Sequence, residues 1–336
     1  MKKVSFHRRH RKKLMALGAL LLMPVITHFV IVLATRMSPP PFEAVSVGEV
    51  DEVSGVRQLG RSYARKRGKI LEVRLTGTPE EIGHVHSKLL YEEMIRSEGQ
   101  LYQTLDELVP LKPLQWLIFD VARLVHRGAD QSMSSDRIRE IASQAAAFQP
   151  DPFENRFPTF QRLVYLNSLY DIALGFEHSP MMGCSSFVAS GSRSKGGHTI
   201  LARNFDFEAG SVYDEEKVVF LIAEDGKIPF ASVAWPGLVG VLSGMNRDGL
   251  SVVVHGGRAK ETTAEGEPVV HTTRALLSEA RDVDEAVAIL KTKKAMVSHM
   301  RCRTSGRCRT SGRCGSRRRW RRYLFYYTRH FRFSCQ

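Results

Sequence analysis

Cys184 is the one thiol in residues 1–300, and its neighbours are of the kind that activate a nucleophile. It stands in Gly183-Cys184-Ser185-Ser186-Phe187, and nineteen residues after it the chain reads Arg203-Asn204-Phe205-Asp206. The other cysteines (Cys302, Cys308, Cys314 and Cys335) all lie in a basic tail. One thiol with an arginine and an aspartate within reach of a hairpin suits covalent catalysis better than a disulfide framework. A guanidinium beside the sulfur favours the thiolate, the reactive form, and the same cation can stabilise an oxyanion in acyl transfer. The bland alternative is a small buried hydrophobe at Cys184 and a plain surface ion pair between Arg203 and Asp206.

Those residues can meet only if the chain doubles back between them. Gly191-Ser192-Arg193-Ser194-Lys195-Gly196-Gly197 has turn composition, with strand-like runs at Ser186–Ser190 and His198–Asn204. A turn centred near Ser194 puts Arg203 and Asn204 opposite Cys184 and Ser185, where cross-strand neighbours are about 5 Å apart. Upstream, Leu71, Val73 and Leu75 alternate with charged residues as in a half-buried strand. Gly77 ends it, and Thr78-Pro79-Glu80-Glu81 opens a helix with a capping box. Residues 78–176 read as mostly helical. Downstream, Asp225-Gly226 and Asp248-Gly249 each sit between apolar runs and predict two hairpins. Helices are expected at Thr273–Ala280 and Val283–Leu290, the second capped by Asp282. Strand pairs with helices before and after predict an α+β layered domain.

The ends of the chain carry its positive charge. The net charge is +14, but residues 1–36 hold eight Lys/Arg and residues 301–336 hold twelve Arg, with no acid in either. Between them stand 29 basic residues against all 35 acidic ones. A mildly acidic central region argues against specific nucleic-acid binding. At the N-terminus seven cations within residues 1–13 precede Leu14 to Thr35, a stretch of 22 residues without a charge. At ~1.5 Å per residue it spans about 33 Å, enough for a bilayer core of roughly 30 Å. The expectation is a single-pass anchor at 14–35 in contact with the lipid bilayer, with a cleaved signal peptide as the alternative. The flanking cations then place the N-terminus in the cytoplasm and everything after Arg36 outside the cell membrane. Residues 36–67 are expected to be a linker.

Taken together, the motifs resemble a known group. Gly183-Cys184-Ser185-Ser186-Phe187 with Ala202-Arg203-Asn204-Phe205-Asp206 is similar to the N-terminal-nucleophile (Ntn) cysteine hydrolases, which include the choloylglycine hydrolases and acid ceramidase. Gly77-Thr78-Pro79-Glu80-Glu81-Ile82-Gly83 and Gly244-Met245-Asn246-Arg247-Asp248-Gly249-Leu250 draw the likeness toward the acyl-coenzyme A:6-aminopenicillanic-acid acyltransferases. The resemblance covers roughly residues 68–299. It implies a four-layer αββα sandwich, with a pro-region or small subunit at 68–183 and a core at 184–300 that begins with the nucleophile. It further implies self-cleavage between Gly183 and Cys184, with the freed α-amine of Cys184 as base, Arg203 supporting the thiolate or oxyanion, and Asp206 orienting the amine. Asn204, Asn246 and His255 are candidates for oxyanion support. Asn246 also fits simple turn chemistry before Asp248-Gly249, and His255 a core histidine. No cofactor and no metal is implied. The partner is a small-molecule amide or acyl compound, and bile-salt, ceramide, penicillin and peptide amides all suit the same machinery.

The tail departs from this pattern. From Arg301 the run Arg-Cys-Arg-Thr-Ser-Gly repeats, and twelve arginines without an acid in residues 301–336 build no ordinary core. The expectation is a basic disordered tail with the character of a shifted reading frame, leaving the sandwich incomplete at its C-terminus. The alternatives to an active amidohydrolase or acyltransferase are a truncated inactive relative and a tethered non-enzymatic protein with a basic tail. Zinc binding by Cys302, Cys308 and Cys314 is disfavoured, because five-residue gaps lack the usual C-x-x-C pairing.

Overall fold

The computed structural model describes residues 2–174, 182–207, 210–255, 266–294, 296 and 323–325, and its contacts divide the chain into two compact units. The smaller comprises residues 1–37 and 105–127. It holds α1 (Lys2–Ala34) and α4 (Lys112–Val125). The anchor expected over Leu14 to Thr35 is helical, but among the described residues no helix is long and apolar enough to cross a membrane. The single-pass topology and the extracytoplasmic placement that rested on it are corrected accordingly. The apolar run of α1 is interrupted by Pro24 and by His28. His28 is engaged by protein: its Nδ1 lies 2.8 Å from Asp120 Oδ2, and its ring stacks on Trp116.

The larger unit comprises residues 38–104 and 128–336 and is built on a nine-stranded sheet. Its first four strands form an antiparallel meander: β1 (Asp51–Val53), β2 (Val56–Leu59), β3 (Ser62–Arg67) and β4 (Ile70–Gly77). Three of these occupy the stretch read as a linker. β4 then pairs in parallel with β7 (Val218–Glu224), which continues antiparallel into β8 (Phe230–Ala234), β9 (Ser243–Asn246) and β10 (Ser251–Val253). A short β11 (Tyr323–Phe325) lies parallel to β10. Both Asp-Gly pairs make the expected turns, with Gly226 and Gly249 at φ 75° and 89°, where a Cβ would be strained. Alternation in β4 and β7 sends Val73, Leu75, Val218 and Phe220 into the core.

Helices cover this sheet. The capping box forms as expected: Thr78 accepts from the Glu81 amide while Glu81 accepts from the Thr78 amide, and α2 (Pro79–Leu89) follows. α3 (Tyr91–Leu108), α5 (Ser135–Ala147), α6 (Thr159–Leu166) and α7 (Leu169–Leu174) complete the predicted helical stretch. Gly83 lets α2 approach α5 closely, because a Cβ there would fall within van der Waals overlap of the Glu140 carbonyl. A one-turn α8 (Val212–Glu215) precedes β7. α9 (Val269–Glu279) and α10 (Val283–Thr292) follow β10, the latter capped by Asp282 accepting from Asp284 and Glu285.

The two remaining strands, β5 (Met182–Gly191) and β6 (Gly197–Phe207), pair only with each other. The α+β character therefore holds, but two stacked sheets of comparable size are not found. β9 is paired on both edges by β8 and β10, and β10 by β9 and β11, so neither offers β5–β6 an edge on which to extend. The expected C-terminal tail lies outside the described residues except for Tyr323–Phe325.

Candidate active site

The β5–β6 hairpin brings the predicted nucleophile and cation together, in a register shifted by one residue from expectation. Cys184 faces Phe205, Ser185 faces Asn204 and Ser186 faces Arg203. Gly191 and Gly197, both at positive φ, close the turn, and the pairing slips between Ala189 and Gly191. Alternation then places Cys184, Ser186, Arg203 and Phe205 on one face of the ribbon, and Ser185, Asn204 and Asp206 on the other.

On the first face, Arg203 Nη2 lies 3.6 Å from Cys184 Sγ and donates to the Val254 carbonyl at 2.6 Å. That second bond fixes the guanidinium over the sulfur. The Phe205 ring supports it from below, 4.2 Å from the guanidinium carbon. Ser186 Oγ is 2.9 Å from His255 Nε2. Burial lowers the basicity of Arg203, and the neighbouring Cys184 and Tyr170 partly offset this. Burial, and then the Arg203 charge, hold His255 below its usual 6.5, so the imidazole is neutral at pH 7. Burial raises the Tyr170 phenol well above 10, reinforced by the negative charge that Cys184 can carry nearby.

On the second face, Asn204 Nδ2 donates to Asp206 Oδ1 at 2.7 Å, and Asp206 stands directly across from Gly183. Asp206 is thus paired across the ladder with Gly183 rather than with Cys184. Asn246 is not brought to the cluster. It is 3 % exposed, and its amide donates to the carbonyls of Leu277 and Ala280 while its oxygen accepts from the amides of Asp248 and Leu250. These four bonds tie the β9–β10 turn to the end of α9.

Ser186 and Tyr170 join the cluster without having been singled out from sequence. Ser186 was legible, being two residues from Cys184 and so on the same strand face. Tyr170 carried no local signal, because it arrives from α7 across the fold. Phe205 and Tyr170 also line an apolar pocket of about 80 Å³, walled further by Leu101, Trp235 and Leu242. Among the described residues no three His, Cys, Asp or Glu side chains converge as a metal site would require.

Residues 192–301 match the family model of the acyl-coenzyme A:6-aminopenicillanic acid acyl-transferase. The matched span includes Arg203, Asp206, Asn246 and His255 and begins after Cys184. An uncharacterized protein of Archaeoglobus fulgidus is 24% identical over 270 residues, which cover 75% of this chain and 43% of the relative. The chain thus spans less than half the length of that relative.

Proposed function

We propose that this chain, whose residues 192–301 are of the acyl-coenzyme A:6-aminopenicillanic acid acyl-transferase family, is a cysteine amidohydrolase or acyltransferase that matures by cleaving itself before Cys184. The observation that carries the reading is the Arg203 guanidinium on the Cys184 sulfur, held there by the Val254 carbonyl. In maturation the sulfur attacks the Gly183 carbonyl carbon. The peptide C–N bond breaks, the thiol proton passes to the departing amine, and water hydrolyses the resulting thioester. Gly183 leaves as a carboxylate, and Cys184 keeps a free thiol and a free α-amine. That amine, with an ordinary pKa of about 7.7–8.0 against ~10.4 for lysine, is a competent base near neutral pH.

Turnover repeats the chemistry on a linear amide. The amine takes the thiol proton, sulfur attacks the substrate carbonyl, and the proton is delivered to the leaving amine. Water, or a second amine, then releases the acyl group from sulfur. Arg203 stabilises negative charge on sulfur or on the tetrahedral oxyanion. Asp206, across from Gly183, is positioned to hold the new ammonium, and neutral His255 can donate through Ser186 toward the same face.

Intact-mass analysis of purified protein tests the reading. A fragment beginning at Cys184 is expected, and Cys184→Ala should leave the chain whole. A folded wild-type chain that stays uncut and hydrolyses no amide would refute it. Adding hydroxylamine during turnover traps the thioester, since an acyl hydroxamate forms when the acyl group rests on sulfur.

A further inference from the structure

The pocket that Phe205 and Tyr170 line is not apolar throughout. Phe205 is at once the cross-strand partner of Cys184 and a wall of the pocket, so an acyl group carried on the sulfur has this cavity as its neighbour. Its body is apolar, with Tyr170, Phe205, Trp235 and Leu242 among its walls, but Ser97 and Glu98 of α3 also line it. Both are deeply buried, Ser97 4 % and Glu98 5 % exposed. Among the described residues, Ser97 Oγ has no hydrogen-bond partner. A buried hydroxyl in that state is destabilising unless something bonds to it. Glu98 lies 2.5 Å from Arg162 Nε, but Arg162 also binds Asp151 at 2.8 Å. Two carboxylates thus share one guanidinium, and Glu98, which also accepts from the Tyr102 phenol, stands as an acceptor beside the unpaired Ser97 hydroxyl.

From this geometry, and resting on the amide-cleaving reading above, we infer that the substrate's acyl group is short and apolar along its length and ends in a hydrogen-bond donor, a hydroxyl or an amine, received by Ser97 and Glu98. Burial raises the Glu98 carboxyl to about 7, against the pull of Arg162, which suits a group that accepts from a neutral donor. A terminal carboxylate would be repelled. A cavity of about 80 Å³ is far too small for a palmitoyl chain.

The test is a series of 4-nitroanilides differing only in the acyl group: 6-hydroxyhexanoyl, 6-aminohexanoyl, heptanoyl, 5-carboxypentanoyl and palmitoyl. The expected result is a kcat/KM for the hydroxyl or amine compound at least about tenfold above heptanoyl, the value of one well-made hydrogen bond. The carboxylate and palmitoyl compounds should fall below heptanoyl. Which of the first two leads decides between hydroxyl and amine. Ser97→Ala should erase the preference over heptanoyl without abolishing heptanoyl turnover. Equal rates across the series, or a preference untouched in Ser97→Ala, overturn the inference and leave the cysteine chemistry standing.

Binding is read separately, through the fluorescence of Trp235 in Cys184→Ala titrated with 6-hydroxyhexanoate, 6-aminohexanoate and heptanoate. Saturable binding that favours a donor-ended acid, with its signal lost on Trp235→Phe, supports the pocket even if no anilide is cleaved; that outcome would count against the catalytic reading alone. No binding and no turnover reject both.

Discussion

Two arginines, Arg203 on the hairpin and Arg274 in the core, show how one side chain serves opposite ends. Arg274 is 2 % exposed and meets Glu140 at 2.8 Å and Glu224 at 3.0 Å, while Arg137 binds the same two glutamates. Two cations face two anions, so the quartet is internally neutral, and it braces α5, β7 and α9 against one another. Arg203 makes no carboxylate ion pair among the described residues. Its donors go to a neutral carbonyl and a sulfur. Charge balanced by carboxylates holds a fold together, whereas charge left unbalanced beside a thiol remains available to a reaction.

The contrast can be broken most forcefully at the core. Arg274→Met should leave Glu140 and Glu224 short of a counter-charge and lower stability by about 3–5 kcal/mol, seen as a lower urea midpoint. A variant as stable as wild type would mean that the quartet does not brace the fold. The next largest effect is expected at Arg203. Arg203→Met should slow maturation and turnover by about 10²–10³-fold, as loss of an oxyanion donor does, while costing only about 1 kcal/mol of stability. Unfolding comparable to that of Arg274→Met would assign Arg203 to structure instead.

The smallest effect is a matter of pH, read on histidines. His86 is fully buried, accepts from the Gly237 amide through Nε2 at 3.0 Å, and is held down to about 3 by desolvation, with Arg274 adding to it. Its folded pKa lies below the unfolded value of ~6.5, so the stability it contributes is fully present above pH 6.5 and declines as pH falls toward 3. By NMR it should stay neutral until the fold is lost. His255 should titrate reversibly in the folded protein, below 6.5, and Arg203→Met should raise its pKa without restoring the ordinary value, since burial is the larger cause. An unmoved His255 would show that Arg203 does not act on that side of the cluster.

Much of the local structure was readable. The Thr78 capping box, the Asp282 cap and the two Asp-Gly turns depend on residues within four positions of each other. The meander β1–β3 was missed although Gly55, Gly60 and Gly68 mark its turns at positive φ. Its strands are only three to six residues long and rich in charge, and they are stabilised by partners such as Glu72 for Arg65 and Glu93 for Arg57. Asn246 divides similarly. Its bonds to Asp248 and Leu250 are turn chemistry, whereas those to Leu277 and Ala280 required α9 to arrive. The charge-free run of α1 read as a membrane span from its length, but among the described residues no helix is long and apolar enough to cross, and His28 is instead held by Asp120.

By itself the sequence determined that a lone thiol, an arginine and an aspartate would share one hairpin, because residue types and turn signals are local properties. Tertiary structure decided which of them touch. Strand side chains alternate with a period of two, so a one-residue change of register reverses every contact. The turn closed by Gly191 and Gly197 set that register, and the Val254 carbonyl, from a distant strand end, fixed the guanidinium. Arg203 therefore lies over the sulfur, while Asp206 lies across from the peptide bond that the sulfur is proposed to cut.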